Sequence, residues 1–161
     1  MKAIALENEQ ETYLRVQLAD STQAVIPMSK MQEVLTTACD RITVMPLMPQ
    51  WVMGLLNQRS QIFWVMDLPQ FLGLPPLEVE EQTYNIAIVR VEDRPVGLRV
   101  KQVHGVSRFS AEAIQSPIGT LPSQLEPYLR GYVLKQESIL LVLDTPAIVQ
   151  GASQILAHTH R

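Results

Sequence analysis

A chain of 161 residues, 47% hydrophobic and only 18% charged, has the composition of one folded domain, or of two small subdomains sharing a core, and excludes a disordered polymer. Its formal net charge of -3 provides no excess of Lys and Arg to hold phosphate backbones or anionic lipid, which argues against nucleic acid. One cysteine, Cys39, excludes an internal disulfide and leads us to expect a reducing, cytoplasmic setting.

In chain order, residues 1–12 read as an N-terminal tail with no apolar core of signal-peptide length. Alternation in "YLRVQL" from Tyr13 marks a strand, "ADST" a turn, and "VIPMSKMQEVL" two further strands. A polar turn at Cys39, Asp40 and Arg41 leads into "VMPLMPQWVMG", a connection interrupted by prolines. Next come "NQRSQIFWVMD", whose five large apolar residues suit a strand buried on both faces, and Asp67-x-Pro69, which suits the N-cap of a short helix. The strand patterns "YNIAIVRV" and "RPVGLRV" flank the turn "VEDRP"; a loop "SPIGTLPSQ" precedes two more strands joined by "QES". Asp144-x-Pro146 repeats the capping signature, and residues 150–161 read as a C-terminal helix or tail. The longest apolar runs, "IFWVM" and "ILLVL", fall far short of the ~20 residues a spanning helix needs.

The repetition of elements is a duplication. Trp51 to Leu72 superposes on Tyr128 to Val149 without a gap at an offset of 77, matching Gly54 with Gly131, Ile62 with Ile139 and Asp67 with Asp144. Upstream, Ile26 to Val34 falls on Leu98 to Val106 at an offset of 72. The halves run from about 13 to 76 and from about 84 to 149 within a single 13–149 domain. Five strands per half lead us to expect that each half closes into a small barrel, since closure removes exposed edges.

Few residues invite chemistry. Asp67 and Asp144 are better placed as caps than as a catalytic pair. His158-x-His160 has no carboxylate or cysteine companions to make a metal site, and Cys39 has no histidine near it in sequence. Two charges stand out because the duplication does not repeat them: Arg59 falls opposite Gln136, and Glu33 opposite Gly105. Brought together, they would hold a guanidinium in one direction, suited to bidentate recognition of a partner's carboxylate. Met31, Val34 and Leu35 surround them in sequence, and the proline-interrupted connection adds Met45, Met48, Val52 and Met53 from a chain with seven methionines, the kind of side chain that adapts to a partner.

Taken together, "AVIPMSKMQEVL", "ITVMPLMPQWVMGLLNQRSQIFWVMDLPQFLGL", "VGLRVKQVHGV" and "LRGYVLKQESILLVLD" resemble the CheW-like family of bacterial chemosensory adaptors, over nearly the whole chain. The resemblance implies an all-β fold of two five-stranded SH3-like β-barrel subdomains with short helices, packed on a shared apolar interface. It implies no catalysis and no cofactor, and as partners the cytoplasmic tip of a methyl-accepting chemoreceptor and the regulatory domain of a CheA-type histidine kinase. The protein would then associate with membrane receptor arrays only through those partners. The family's receptor-contacting turn carries over to Asn57, Gln58, Arg59 and Ser60, its supporting acid to Glu33, and the receptor groove to Met31 and Val34. The connection holding Met45, Met48, Val52 and Met53 is then the kinase-facing surface. Gln58, Ser60 and Trp64 depart from the family pattern, which leaves open whether the array serves flagellar, phototactic or pilus motility. Two other readings compete: a barrel binding small molecules or oligonucleotides on Trp51, Trp64, Tyr84, Phe109 and Tyr132, and an enzyme using Cys39 with a distant histidine.

Overall fold

The computed structural model describes residues 9–78 and 81–159, with side chains as far as 156; the side chains of the His158-x-His160 pair and the first eight residues of the N-terminal tail lie outside what it describes. Ten strands follow one another: β1 (Glu11–Ala19), β2 (Thr22–Pro27), β3 (Met31–Ala38), β4 (Val52–Gln58), β5 (Gln61–Asp67), β6 (Thr83–Val91), β7 (Arg94–Val100), β8 (Gln102–Phe109), β9 (Leu129–Lys135) and β10 (Ser138–Leu143). Two α-helices, α1 (Leu68–Phe71) and α2 (Thr145–Thr159), follow β5 and β10. Each begins at the expected aspartate: Asp67 Oδ1 accepts from the Gln70 amide at 3.0 Å, and Asp144 Oδ1 from the Ala147 amide at 3.1 Å. The second oxygen of Asp67 takes the Leu77 amide at 2.9 Å, so this carboxylate ties down backbone on both sides.

The strands form two five-stranded mixed sheets, in the orders β8-β1-β2-β10-β9 and β3-β6-β7-β5-β4. This corrects the expectation of two closed SH3-like barrels in two respects. First, the halves exchange strands: the first sheet takes β1 and β2 from the first half and three strands from the second, and the other sheet does the converse. The exchange runs through two parallel pairs, β2 with β10 and β5 with β7. Second, neither sheet closes; one is a half-open barrel and the other is not closed at all.

The reason lies in the irregular connections. Thr43 and Leu55 exchange two backbone hydrogen bonds, and so do Gln115 and Tyr132, the same pair of positions in the two halves. One residue of each edge strand, Leu55 of β4 and Tyr132 of β9, thus gives its outward backbone groups to a connecting segment instead of to a neighbouring strand. Gly54 and Gly131 permit the contact: a Cβ on Gly54 would stand 2.2 Å from the Thr43 carbonyl oxygen, and one on Gly131 2.1 Å from that of Gln115.

Three apolar clusters follow from strand alternation. Ile42, Leu56, Phe63, Val65, Tyr84, Ile86 and Ile88 fill the concave side of the sheet that holds β3 to β7. Tyr13, Val25, Phe109, Val133, Leu140 and Val142 fill that of the other sheet. The largest cluster lies between the sheets, where Leu14, Val16 and Ile26 meet Ala87, Val89 and Leu98, joined by Ile148 and Val149 of α2. This last cluster is the shared interface that the resemblance implied.

Candidate functional site

The hairpin between β4 and β5 is closed by the pair Gln58 and Gln61, leaving Arg59 and Ser60 as a two-residue loop. Both have positive φ, 52° and 68°, the conformation of the type I′ turn that matches the twist of paired strands. The β6–β7 turn at Glu92 and Asp93 has the same form, and Gln136, the counterpart of Arg59 in the repeat, also has positive φ, 57°. A two-residue loop with a fixed backbone aims the side chain of Arg59 off the end of the sheet, where it is 80% exposed.

There it meets β3. Arg59 Nη1 lies 3.4 Å from Glu33 Oε2, while Gln58 Nε2 makes a long hydrogen bond of 3.5 Å to Glu33 Oε1. The two oxygens of one carboxylate are thus held by adjacent residues of the hairpin tip. Beside them Gln32 Nε2 donates to Gln61 Oε1 at 3.1 Å, and Arg90 Nε donates to Gln32 Oε1 at 2.9 Å. Because β3 and β4 are the end strands of their sheet and do not pair with each other, these contacts bridge an opening that no backbone ladder spans. An exposed pair of this kind contributes about 0–1 kcal/mol to folding, so its main consequence is the direction of the guanidinium.

The remaining candidates divide by face. Glu33 pairs in register with Ile88 and Gln58 with Gln61 on the concave side. A bulge between Met31 and Glu33 turns Met31 toward Val89, and Val34 lies beside Ala87, so both occupy the opposite face of β3. Met31 is half-buried there against the inter-sheet core, whereas Val34 is 44% exposed. Asn57 pairs with Ile62 on that same opposite face, and its carbonyl oxygen accepts from Arg41 Nη2 at 2.8 Å. Ile62 is 66% exposed, which corrects the reading of "IFWVM" as buried on both faces: Phe63 and Val65 face the core, and Ile62 faces out at the hairpin end. An uninterrupted apolar run does not reveal where a sheet stops being covered.

In the connection, Met45 is exposed and Met48 half-buried, while Met53 packs on the concave core and lines, with Val52, Cys39 and Tyr84, a cavity of about 260 Å³. Val44 and Leu47, not singled out from sequence, are more exposed than any of these methionines; the prolines beside Met45 and Leu47 were the available signal. Arg99 also escaped notice. It is buried, its guanidinium 3.7 Å over the Tyr84 ring, with Nη2 donating to the Glu78 carbonyl at 2.5 Å and 3.5 Å from Glu81 Oε2. Burial pulls its pKa down, opposed by Tyr84, Asp67 and Glu81; these contacts pin the segment between α1 and β6 to the sheet.

The competing readings find no geometry. Tyr84, Phe109 and Tyr132 are buried. Trp51 packs edge-on against Phe71 at 4.9 Å, and Tyr13 stacks on Phe109 at 4.1 Å, while Trp64 is half-buried opposite Leu55 in the β4–β5 pair, so the five do not make one open stacking platform. His104 lies on β8, its Nε2 2.7 Å from Gln17 Oε1, while Cys39 adjoins β3 in the other sheet. No metal-binding group of His, Cys, Asp and Glu occurs among the described residues.

Comparison with known proteins agrees with this architecture. A curated relative, Protein PilI of Pseudomonas aeruginosa, is 32% identical over 128 residues, 78% of this chain and 68% of its own. Chemotaxis protein CheW of Treponema pallidum is 30% identical over 102 residues, covering 62% of this chain and 60% of its own. The crystal structure of scaffolding protein TtCheW from Thermoanaerobacter tengcongensis superposes with a TM-score of 0.74 over 84% of this chain and 90% of that one, at 20% identity, a likeness of fold. The model of the CheW-like domain matches residues 12–153. The chain therefore belongs to the CheW-like domain family, and its role is that of a non-catalytic adaptor in chemotaxis-like signalling arrays.

Proposed function

We propose that this adaptor joins the cytoplasmic helical tip of a chemoreceptor to the regulatory domain of a CheA-type histidine kinase, with Arg59 as the receptor clamp and Glu33 as its support. CheW-like proteins generally bridge chemoreceptors and CheA kinases. The observation that carries the assignment of Arg59 is a guanidinium 80% exposed yet 3.4 Å from a carboxylate of its own chain: solvent-facing donors remain for a partner, and their direction is already set. Gln58 and Asn57 stand beside it at the hairpin. Met31 and Val34, on the other face of the edge strand β3, supply apolar contact to a helix lying along that edge. Met45, Met48, Val52 and Met53, together with the exposed Val44 and Leu47, form the kinase-facing surface. No helix among the described residues is long and apolar enough to cross a membrane, and the proposed location is at membrane receptor arrays through these partners.

Co-purification with receptor tips and with kinase regulatory domains tests the proposal. Arg59→Ala should lose receptor capture while retaining kinase capture, and should change unfolding free energy by less than about 1 kcal/mol. Retained receptor capture, or a large loss of stability, would remove Arg59 from this role.

A further inference from the structure

The duplication gives the clamp a counterpart in the other sheet, and the counterpart lacks its acid. At the offsets of the repeat, Gln32 corresponds to His104, Glu33 to Gly105, Gln58 to Lys135 and Arg59 to Gln136. His104, Lys135 and Gln136 line one polar cleft of about 440 Å³, together with Arg15 and Gln23. Arg15 lies in register with Gly105 on β8 and with Val25 on β2, which places its side chain on the concave side of its sheet. Its Nε is buried and has no hydrogen-bond partner among the described residues. Gly105 has φ 130°, and among the described residues, its two chain neighbours aside, none brings a heavy atom within 4 Å of where its Cβ would stand. So where the first site holds its own carboxylate, the second holds open space beside a half-buried guanidinium.

No carboxylate of the described residues lines this cleft. Asp20 and Glu137 border the neighbouring depression, and Asp20 is engaged by Lys101. A half-buried cation without a counter-charge bears a desolvation cost that an incoming anion removes. We propose that this cleft binds a carboxylate from outside the chain, a glutamate or aspartate side chain of an acidic segment on a partner protein, seated between Arg15, His104 and Lys135 in the position that Glu33 occupies in the first site. The choice of a carboxylate rests on that correspondence. The proposal is independent of the receptor assignment of Arg59, since it involves the other sheet.

The test is an NMR titration of the full isotope-labelled chain with three probes: a capped Gly-Glu-Glu-Gly peptide, its Gly-Gln-Gln-Gly counterpart and inorganic phosphate. The glutamate peptide should shift the signals of Arg15, His104 and Lys135 saturably, and the glutamine peptide should not. Arg15→Gln should weaken binding by about tenfold or more, as loss of a charge-assisted hydrogen bond does. Lys135→Gln, an exposed change that leaves the core untouched, should weaken it in the same direction, and thermal melts confirm that both variants fold. The proposal is overturned if no saturable shift occurs at these residues, if both folded variants bind as the native chain does, or if phosphate binds more tightly than the peptide.

Discussion

Ser60 stands next to the clamp with φ 68°, a left-handed conformation that costs a residue with a Cβ roughly 1 kcal/mol. Glycine removes that strain but widens the unfolded ensemble, so Ser60→Gly should raise stability by up to about 1 kcal/mol, read as a higher denaturant midpoint at unchanged m-value. Receptor capture should persist, because the turn geometry is the same. A second consequence of a single side chain is a pH dependence. Tyr13 is buried and donates to Glu11 Oε2 at 2.8 Å; burial first, and then Glu11, push its pKa from 10.0 up to about 12, with Arg130 acting in the opposite sense. The fold favours the neutral phenol, so this stabilisation is intact below pH 10 and is lost as pH rises from 10 toward 12. Unfolding free energy should therefore fall over that window by at most about 1.4 kcal/mol per pH unit from this group, and Tyr13→Phe should remove that contribution when the two alkaline profiles are subtracted. At this scale the sequence carried the asymmetry of Arg59 and Glu33, because repeats expose what they do not share. It did not carry the burial of Arg99, which depends on Tyr84 and Glu81 arriving from another segment.

The hairpin with its overlying connection recurs as a unit, and its glycine explains a match that sequence comparison only registers. Gly131 lies beneath the Gln115 carbonyl, and Tyr132, the next residue, makes the two backbone bonds to Gln115 and donates its hydroxyl to Gln115 Oε1 at 3.2 Å. Any Cβ at 131 must displace backbone, so Gly131→Ala should cost about 1–3 kcal/mol or more, with Gly54→Ala behaving alike; chemical denaturation of both variants checks this. A loss of only a few tenths in either would mean that the connection shifts freely. Elements were legible where a local rule fixes them: the two Asp-x-Pro caps, the polar turns that join the hairpins and the alternation of β1. The outward turn of Ile62 and the bulge that separates Met31 from Glu33 were not, because both depend on which strand lies alongside.

Duplication of a five-strand pattern is compatible with two arrangements, one in which each copy closes on itself and one in which the copies trade strands, and local patterning is the same in both. The parallel contacts of β2 with β10 and of β5 with β7 select the second. Without the second half, β1 and β2 would be an isolated hairpin, and β3 would lose β6, its one ladder partner among the described residues. The β4–β5 hairpin would likewise lose β7. Two-stranded fragments are marginal in water, and the core between the sheets draws on Leu14 and Val16 as well as Ala87, Val89 and Ile148. Residues 1–78 and 81–161, expressed separately, should therefore each give poorly dispersed amide spectra and no cooperative melt. Mixing them should recover the native spectrum, since the exchanged strands form across the cut. A cooperative transition in either fragment alone would show that a half can fold without its partner, and the clamp at Arg59, built wholly from first-half residues, would then be separable from the remainder of the adaptor.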